Sequence, residues 1–180
     1  RLPVLLERAG AMRDGGSITG VYTVLVEGDD LTEPVSDAAR GVLDGHIALS
    51  RKIASQGRYP AVDLLESISR VADNVCDEAH RTARQRLVRA LAAFRESEEL
   101  INIGAYAPGA NPDCDAVLAC RNFIDAFLTQ GRDESAAYPE TCRGLLQLAA
   151  QVHEAAGRAA GAAATARAAA AADGPVRVAG

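Results

Sequence analysis

Lys52 is the only lysine in the chain, and the residues before it, from His46 to Arg51, hold no Gly-x-x-x-x-Gly-Lys. Phosphoryl transfer from a nucleoside triphosphate needs a cradle of backbone amides with a lysine for the β and γ phosphates. It also needs a Mg²⁺ ligand, a carboxylate to position water and often an arginine from a neighbouring subunit. The cradle is absent from these 180 residues. His46, His80 and His153 have no spacing that makes a metal site, so none is expected. The cysteines at 76, 114, 120 and 142 lack Cys-x-x-Cys spacing and read as reduced, mostly buried thiols. One stretch remains, from Gly28 to Arg70. It carries an acidic loop (Asp29, Asp30, Thr32, Glu33), Tyr59 before Pro60, and Arg70 at the end of Ser67-Ile68-Ser69. By residue type alone these read as a solvated turn capped by Asp30 or Thr32, a core tyrosine held by proline, and a surface or helix-capping arginine.

The elements that must position these residues change character along the chain. Residues 17–26 are rich in β-branched side chains and nearly continuously apolar, the pattern of a strand covered on both faces in a parallel sheet. Ser36 offers an N-cap to a short helix through Leu43, and Gly45 stops it before a strand at residues 46–49. Strand, helix, strand implies a right-handed crossover. After Arg70 the period becomes helical. Leu87, Leu91 and Phe94 form one stripe, Val117, Cys120, Ile124 and Phe127 a second, and Cys142, Leu145, Ala149 and Val152 a third. Three antiparallel helices follow, joined by loops at residues 104–112 and 131–139 that hold the helix-ending Gly, Pro and Asn. Arg81, Arg84, Arg86 and Arg89 make a basic face on a helix beginning near Asp77, expected to pair with Glu96, Glu98 and Glu99. From about Gly157 the chain is Ala-rich; it can be helical, but alanine buries little surface, so a frayed, poorly packed tail is expected.

With 48% hydrophobic residues and net charge −5, the chain can build one domain or two small ones. Mild acidity argues against bulk nucleic-acid binding, and no nucleic-acid partner is expected. The Ala-rich run is interrupted by Arg158 and Arg167, so no membrane span is expected. The chain starts on Arg1 inside what reads as an ordered segment, and is expected to be part of something longer.

The blocks Leu5-Leu6-Glu7-Arg8-Ala9-Gly10, Gly16-Ser17-Ile18-Thr19 and Tyr22-Thr23-Val24-Leu25-Val26-Glu27-Gly28-Asp29-Asp30 are similar to the flagellum-specific and type III secretion export ATPases. Asp44-Gly45-His46-Ile47 and Leu100-Ile101-Asn102-Ile103-Gly104-Ala105-Tyr106 favour the flagellar branch. The resemblance runs to about Leu148. It implies an α/β fold, the second half of a RecA-like parallel-sheet core over residues 1–75, then an all-α helical domain over 76–156, with 157–180 as a low-complexity tail. It also implies ATP as substrate with Mg²⁺, whose ligands lie upstream of these residues together with the phosphate loop. These 180 residues are therefore expected to be insufficient for catalysis.

By the same resemblance, Arg70 would reach across a subunit interface to a neighbour's γ-phosphate, where a fixed guanidinium suits the charge developing on a loose transition state. Tyr59 would stack on adenine, with Phe127, Gln130 and Gly131 closing that pocket from the helical domain. Asp29, Asp30, Thr32 and Glu33 would face a central channel and meet a coiled-coil stalk protein. The implied setting is a cytoplasmic homohexamer, peripheral to an inner-membrane export gate, served by a regulator and by export chaperone–substrate complexes. Two alternatives stay open. The F-type ATP synthase catalytic β subunit shares the architecture but has Pro-Ala-Asp-Asp in place of Glu27-Gly28-Asp29-Asp30 and lacks the Asp-Gly-His of residues 44–46. The other is a non-catalytic helical binding module that has lost its phosphate loop.

Overall fold

The structure, a computed structural model, describes residues 2–6, 8–26 and 33–172. A short helix, α1 (Leu2–Leu6), leads into a two-residue antiparallel pair, β1 (Gly10–Ala11) and β2 (Ser17–Ile18). The buried parallel strand expected over residues 17–26 is not formed. Only Ser17 and Ile18 pair, and Val21 and Leu25 are 91% and 92% exposed. A strand of that kind needs a ladder on each edge and a layer on each face, and the described residues supply neither.

Helix α2 (Pro34–Val42) begins two residues before Ser36. Proline at its first position has a preset φ and no N–H to satisfy, so Glu33 becomes the flanking residue and Ser36 is buried in the first turn instead of capping it. Strand β3 (Gly45–Leu49), helix α3 (Arg51–Ser55) and strand β4 (Val62–Ser69) follow, with the Ser50 hydroxyl capping α3 at Ile53 N. β3 pairs with β4 antiparallel, Gly45 opposite Ser69 and Leu49 opposite Val62, with a bulge between His46 and Ala48. The expected parallel crossover is thus replaced, among the described residues, by two antiparallel pairs. Gly45 is required where it stands, because a Cβ there would collide with the Ile68 carbonyl oxygen.

The α/β part gives way to an all-α part at α4 (Ala72–Val75), α5 (Glu78–Asn102), α6 (Pro112–Leu128) and α7 (Tyr138–Ala172). Asp77 caps α5, accepting from His80 N at 2.7 Å, and Asn111 caps α6, accepting from Asp113 N and Cys114 N at 3.0 and 3.3 Å. Gly104 (φ +73°) turns the chain out of α5, letting Ala105 N return to Leu100 O at 2.8 Å. Leu87, Ala90, Val117, Cys120, Ile124, Leu148 and Val152 form one core, with Leu91, Phe94, Phe127 and Leu145 packed on its margin. The three stripes read from the sequence meet there, each large apolar side chain contributing about 1.5–3 kcal/mol by burial.

Helix α7 continues without a break to Ala172, past the expected fraying point, while most described residues after Ala156 are exposed. Alanine propensity extends the helix and packing does not. The basic face of α5 finds other partners than expected. Arg84 pairs with Asp73 and Arg89 with Asp113, while Glu98 pairs with Lys52. A residue seven or more positions along the same helix lies beyond side-chain reach, whereas α4 and the start of α6 are adjacent.

Candidate functional site

Tyr59 lies between α3 and β4, in cis peptide linkage to Pro60, and is 57% exposed, so it is no core tyrosine. Its carbonyl accepts a hydrogen bond from Gln130 N at 2.9 Å, just beyond the end of α6. The turn after α6 is tightened by Gln130 Nε2 donating to Glu134 O and Gly131 N donating to Glu134 Oε2, both 2.9 Å. Tyr59, Gln130 and Gly131 are therefore brought together from the two parts of the chain. Phe127 lies in the last turn of α6, partly buried against the helical core with its ring beside Gly144. An exposed phenol ring held at a main-chain anchor offers a flat apolar face on which any planar base can stack.

Arg70 is the residue after β4, and its N–H donates to Asp44 O at 2.8 Å. Its Nη1 and Nη2 donate to Gly41 O and Arg40 O, at 3.4 and 3.1 Å. These carbonyls belong to the last turn of α2, so the guanidinium occupies the negative end of a helix. Tyr59 and Arg70 lie beyond opposite ends of β4, whose first and last residues, Val62 and Ser69, pair with the two ends of the five-residue β3, Leu49 and Gly45.

Between them sits a pair that the sequence reading missed. Asp63 is 9% exposed, and its two carboxylate oxygens accept from Arg95 Nη2 of α5 at 2.7 and 2.8 Å. Asp63 Oδ1 also accepts Leu65 N and Glu66 N, at 3.0 and 3.2 Å, and Arg95 Nη1 reaches Glu66 Oε1 at 3.4 Å. Burial alone would raise the Asp63 pKa, but the Arg95 guanidinium and the two N–H donors outweigh it and hold the carboxyl below its ordinary value. Asp63 was visible only as part of Tyr-Pro-Ala-Val-Asp, and nothing local marks Arg95. The pair forms one wall of a cleft of about 600 Å³ between α3 and β4 on one side and helices α5 and α6 on the other, also lined by Arg58, Arg121 and Asp125. Arg58 and Arg121 share Asp125, at 3.8 and 3.7 Å.

Of the acidic loop, Asp29, Asp30 and Thr32 lie outside the described residues. Glu33 flanks α2, its carbonyl accepting Asp37 N at 2.9 Å and its side chain making no cap bond. His46 Nε2 bonds Glu66 O at 2.8 Å, and His80 stacks on Tyr138 with centroids 6.5 Å apart, both structural roles. Among the described residues no group of three or more His, Cys, Asp or Glu side chains is placed to hold a metal, so no donor set for Mg²⁺ is found there. No helix among them is long and apolar enough to cross a membrane.

Residues 1–69 match the ATP synthase alpha/beta family, nucleotide-binding domain, and residues 76–147 match the T3SS EscN ATPase C-terminal domain. The Type 3 secretion system ATPase of Pseudomonas syringae pv. tomato is 46% identical over 153 residues, 85% of this chain and 34% of that protein. The Flagellum-specific ATP synthase of Treponema pallidum is 47% identical over 147 residues, 82% of this chain and 33% of that protein. The assembled ATPase EscN from the enteropathogenic E. coli type III secretion system superposes with TM-score 0.76 at 38% identity, covering 82% of this chain and 36% of that one. Its complex with the central stalk EscO superposes with TM-score 0.73 at 37% identity, covering 82% and 35%. The chain spans about a third of the length of the curated relatives it matches.

Proposed function

Because the chain belongs to the family of type 3 secretion system and flagellum-specific ATPases, we propose that it supplies one side of a nucleotide site and one interface arginine to a ring that couples ATP hydrolysis to protein export. The observation that carries this reading is the division of labour along β4: an exposed Tyr59 tied to Gln130 at one end, and Arg70 at the other. Tyr59 stacks on the adenine of its own subunit's ATP, with Gln130, Gly131 and Phe127 bordering the pocket. Arg70 serves the neighbour's γ-phosphate. The split at residue 75, with the helical domain over 76–156 and the tail over 157–180 outside it, follows the same plan.

In this chain the Arg70 guanidinium rests on carbonyls of α2, a contact of about 0.3–1 kcal/mol for an exposed side chain. A γ-phosphate offers the guanidinium a full negative charge and bidentate geometry in place of two neutral carbonyls, so the side chain exchanges α2 for the phosphate when one is presented. Without a phosphate loop the 180 residues do not hydrolyse ATP by themselves, and the ligands for Mg²⁺ come from outside them. The working form is a cytoplasmic homohexamer at an inner-membrane export gate. Asp29, Asp30, Thr32 and Glu33 meet a coiled-coil stalk, consistent with the stalk complex of the E. coli relative. A regulator and chaperone-bound export substrates are the remaining partners. The test is Arg70→Ala in the complete ATPase, expected to assemble normally and lose on the order of 10³-fold in turnover. Turnover at the wild-type rate would remove Arg70 from the mechanism.

A further inference from the structure

β4 is not a straight strand. Its pairing with β3 slips between His46 and Ala48, and through the irregular stretch the N–H groups of Leu65 and Glu66 turn to the Asp63 carboxylate instead of to β3. Around the slip, the Ser67 hydroxyl donates to Asp63 O and accepts Ala48 N at 3.0 Å, and Glu66 O meets His46 Nε2 at 2.8 Å. A bulge bends and twists its strand, and so re-aims whatever the strand carries next. Here the strand carries Arg70. The carboxylate that organises the bulge is held by two hydrogen bonds from Arg95, whose other nitrogen reaches Glu66 on the same strand. Arg95 belongs to α5, whose Leu87 and Ala90 are in the helical core.

From this geometry we infer that Arg95 is a positioning residue for Arg70: the helical domain grips the bulge of β4 through Asp63 and Glu66, and thereby sets where the interface arginine points. The inference rests on the assignment of Arg70 to the neighbouring γ-phosphate. It adds that movement of the helical domain in one subunit is transmitted to the site of the next through this contact. Arg95 is the right type for the task, since its planar fork meets the Asp63 carboxylate and the Glu66 side chain at once, whereas a lysine presents a single compact charge. Tyr59 precedes Asp63 and is anchored separately by Gln130, so base stacking does not depend on Arg95.

The experiment uses the complete, assembled ATPase, with Arg95→Ala, Arg95→Lys and Asp63→Asn each made alone and in an Arg70→Ala background. Turnover, ATP KM, assembly and melting temperature are measured for each. Arg95→Ala is expected to lower kcat by roughly 10- to 100-fold, the range in which a misplacement of about 1 Å acts, while KM for ATP stays within about twofold. Arg95→Lys is expected to lose less, and decides the matter if the alanine variant melts below the assay temperature. In the Arg70→Ala background Arg95→Ala should cause no further loss of turnover, because residues acting through one another are not additive. A multiplied loss in that background, or a raised KM with kcat unchanged, overturns the inference while leaving Arg70 in place. Wild-type turnover in Arg70→Ala alone instead overturns the assignment on which the inference rests.

Discussion

The two parts of the chain solve burial in different ways. Helices α5, α6 and α7 close a core entirely from their own residues, with Ala90, Ala116 and Val152 no more than 1% exposed. Among the described residues the α/β part has no comparable centre. Its sheets are two-stranded, and Val21, Leu25, Ile47 and Leu49 are all more than 70% exposed. Isolated two-stranded pairs are marginal in water, so the α/β part draws its order from what it packs against and the helical part from itself. One region reads as a self-sufficient unit, the other as one face of an assembly larger than 180 residues.

Core truncation separates them most strongly. Leu87→Ala is expected to cost about 2–5 kcal/mol in chemical denaturation, with or without upstream residues, because its cavity is enclosed by α6 and α7. An equally large cost for the exposed Val21→Ser in these 180 residues would break the comparison. Val21→Ser is expected to be neutral within about 0.5 kcal/mol here, and a cost of about 1–3 kcal/mol in the complete ATPase would show that neighbours there bury Val21. The smallest effect concerns the contact between the two parts. A carboxyl whose folded pKa lies below its unfolded value adds stability that is fully present above about pH 4 and is lost as pH falls through the folded value. Asp63 is such a group. Melting temperature measured between pH 7 and pH 3 should therefore fall more steeply for the wild-type complete protein than for Asp63→Asn, and parallel curves would show that Asp63 adds no such acid-side stability.

The same contrast explains what could be read from sequence. Leu87 with Leu91, and Val117 with Cys120, announce helices because neighbours on a helix face are three or four residues apart, and Asp77 and Asn111 mark where two of those helices begin. The β parts depend on pairings that no local period encodes. The apolar run at residues 17–26 has the composition of a buried strand, but composition does not say whether neighbours are present to bury it. Ser36 looked like a cap until Pro34, two residues earlier, started the helix. Tyr59 and Gln130 were singled out by resemblance, and the chain brings them together across 70 intervening positions. Asp63 and Arg95 are 32 residues apart in different elements, and neither stands out from an ordinary surface charge until the fold joins them.

The hydrogen bond that ties the turn after α6 to Tyr59 uses the main-chain N–H at position 130 and the main-chain carbonyl at 59. Side-chain identity at 130 is thus decoupled from the anchoring of the ring. Nineteen of the twenty amino acids can donate that bond, and proline alone lacks the hydrogen. Position 130 is therefore a place where the side chain near Tyr59 can change while the main-chain joint to residue 59 is kept.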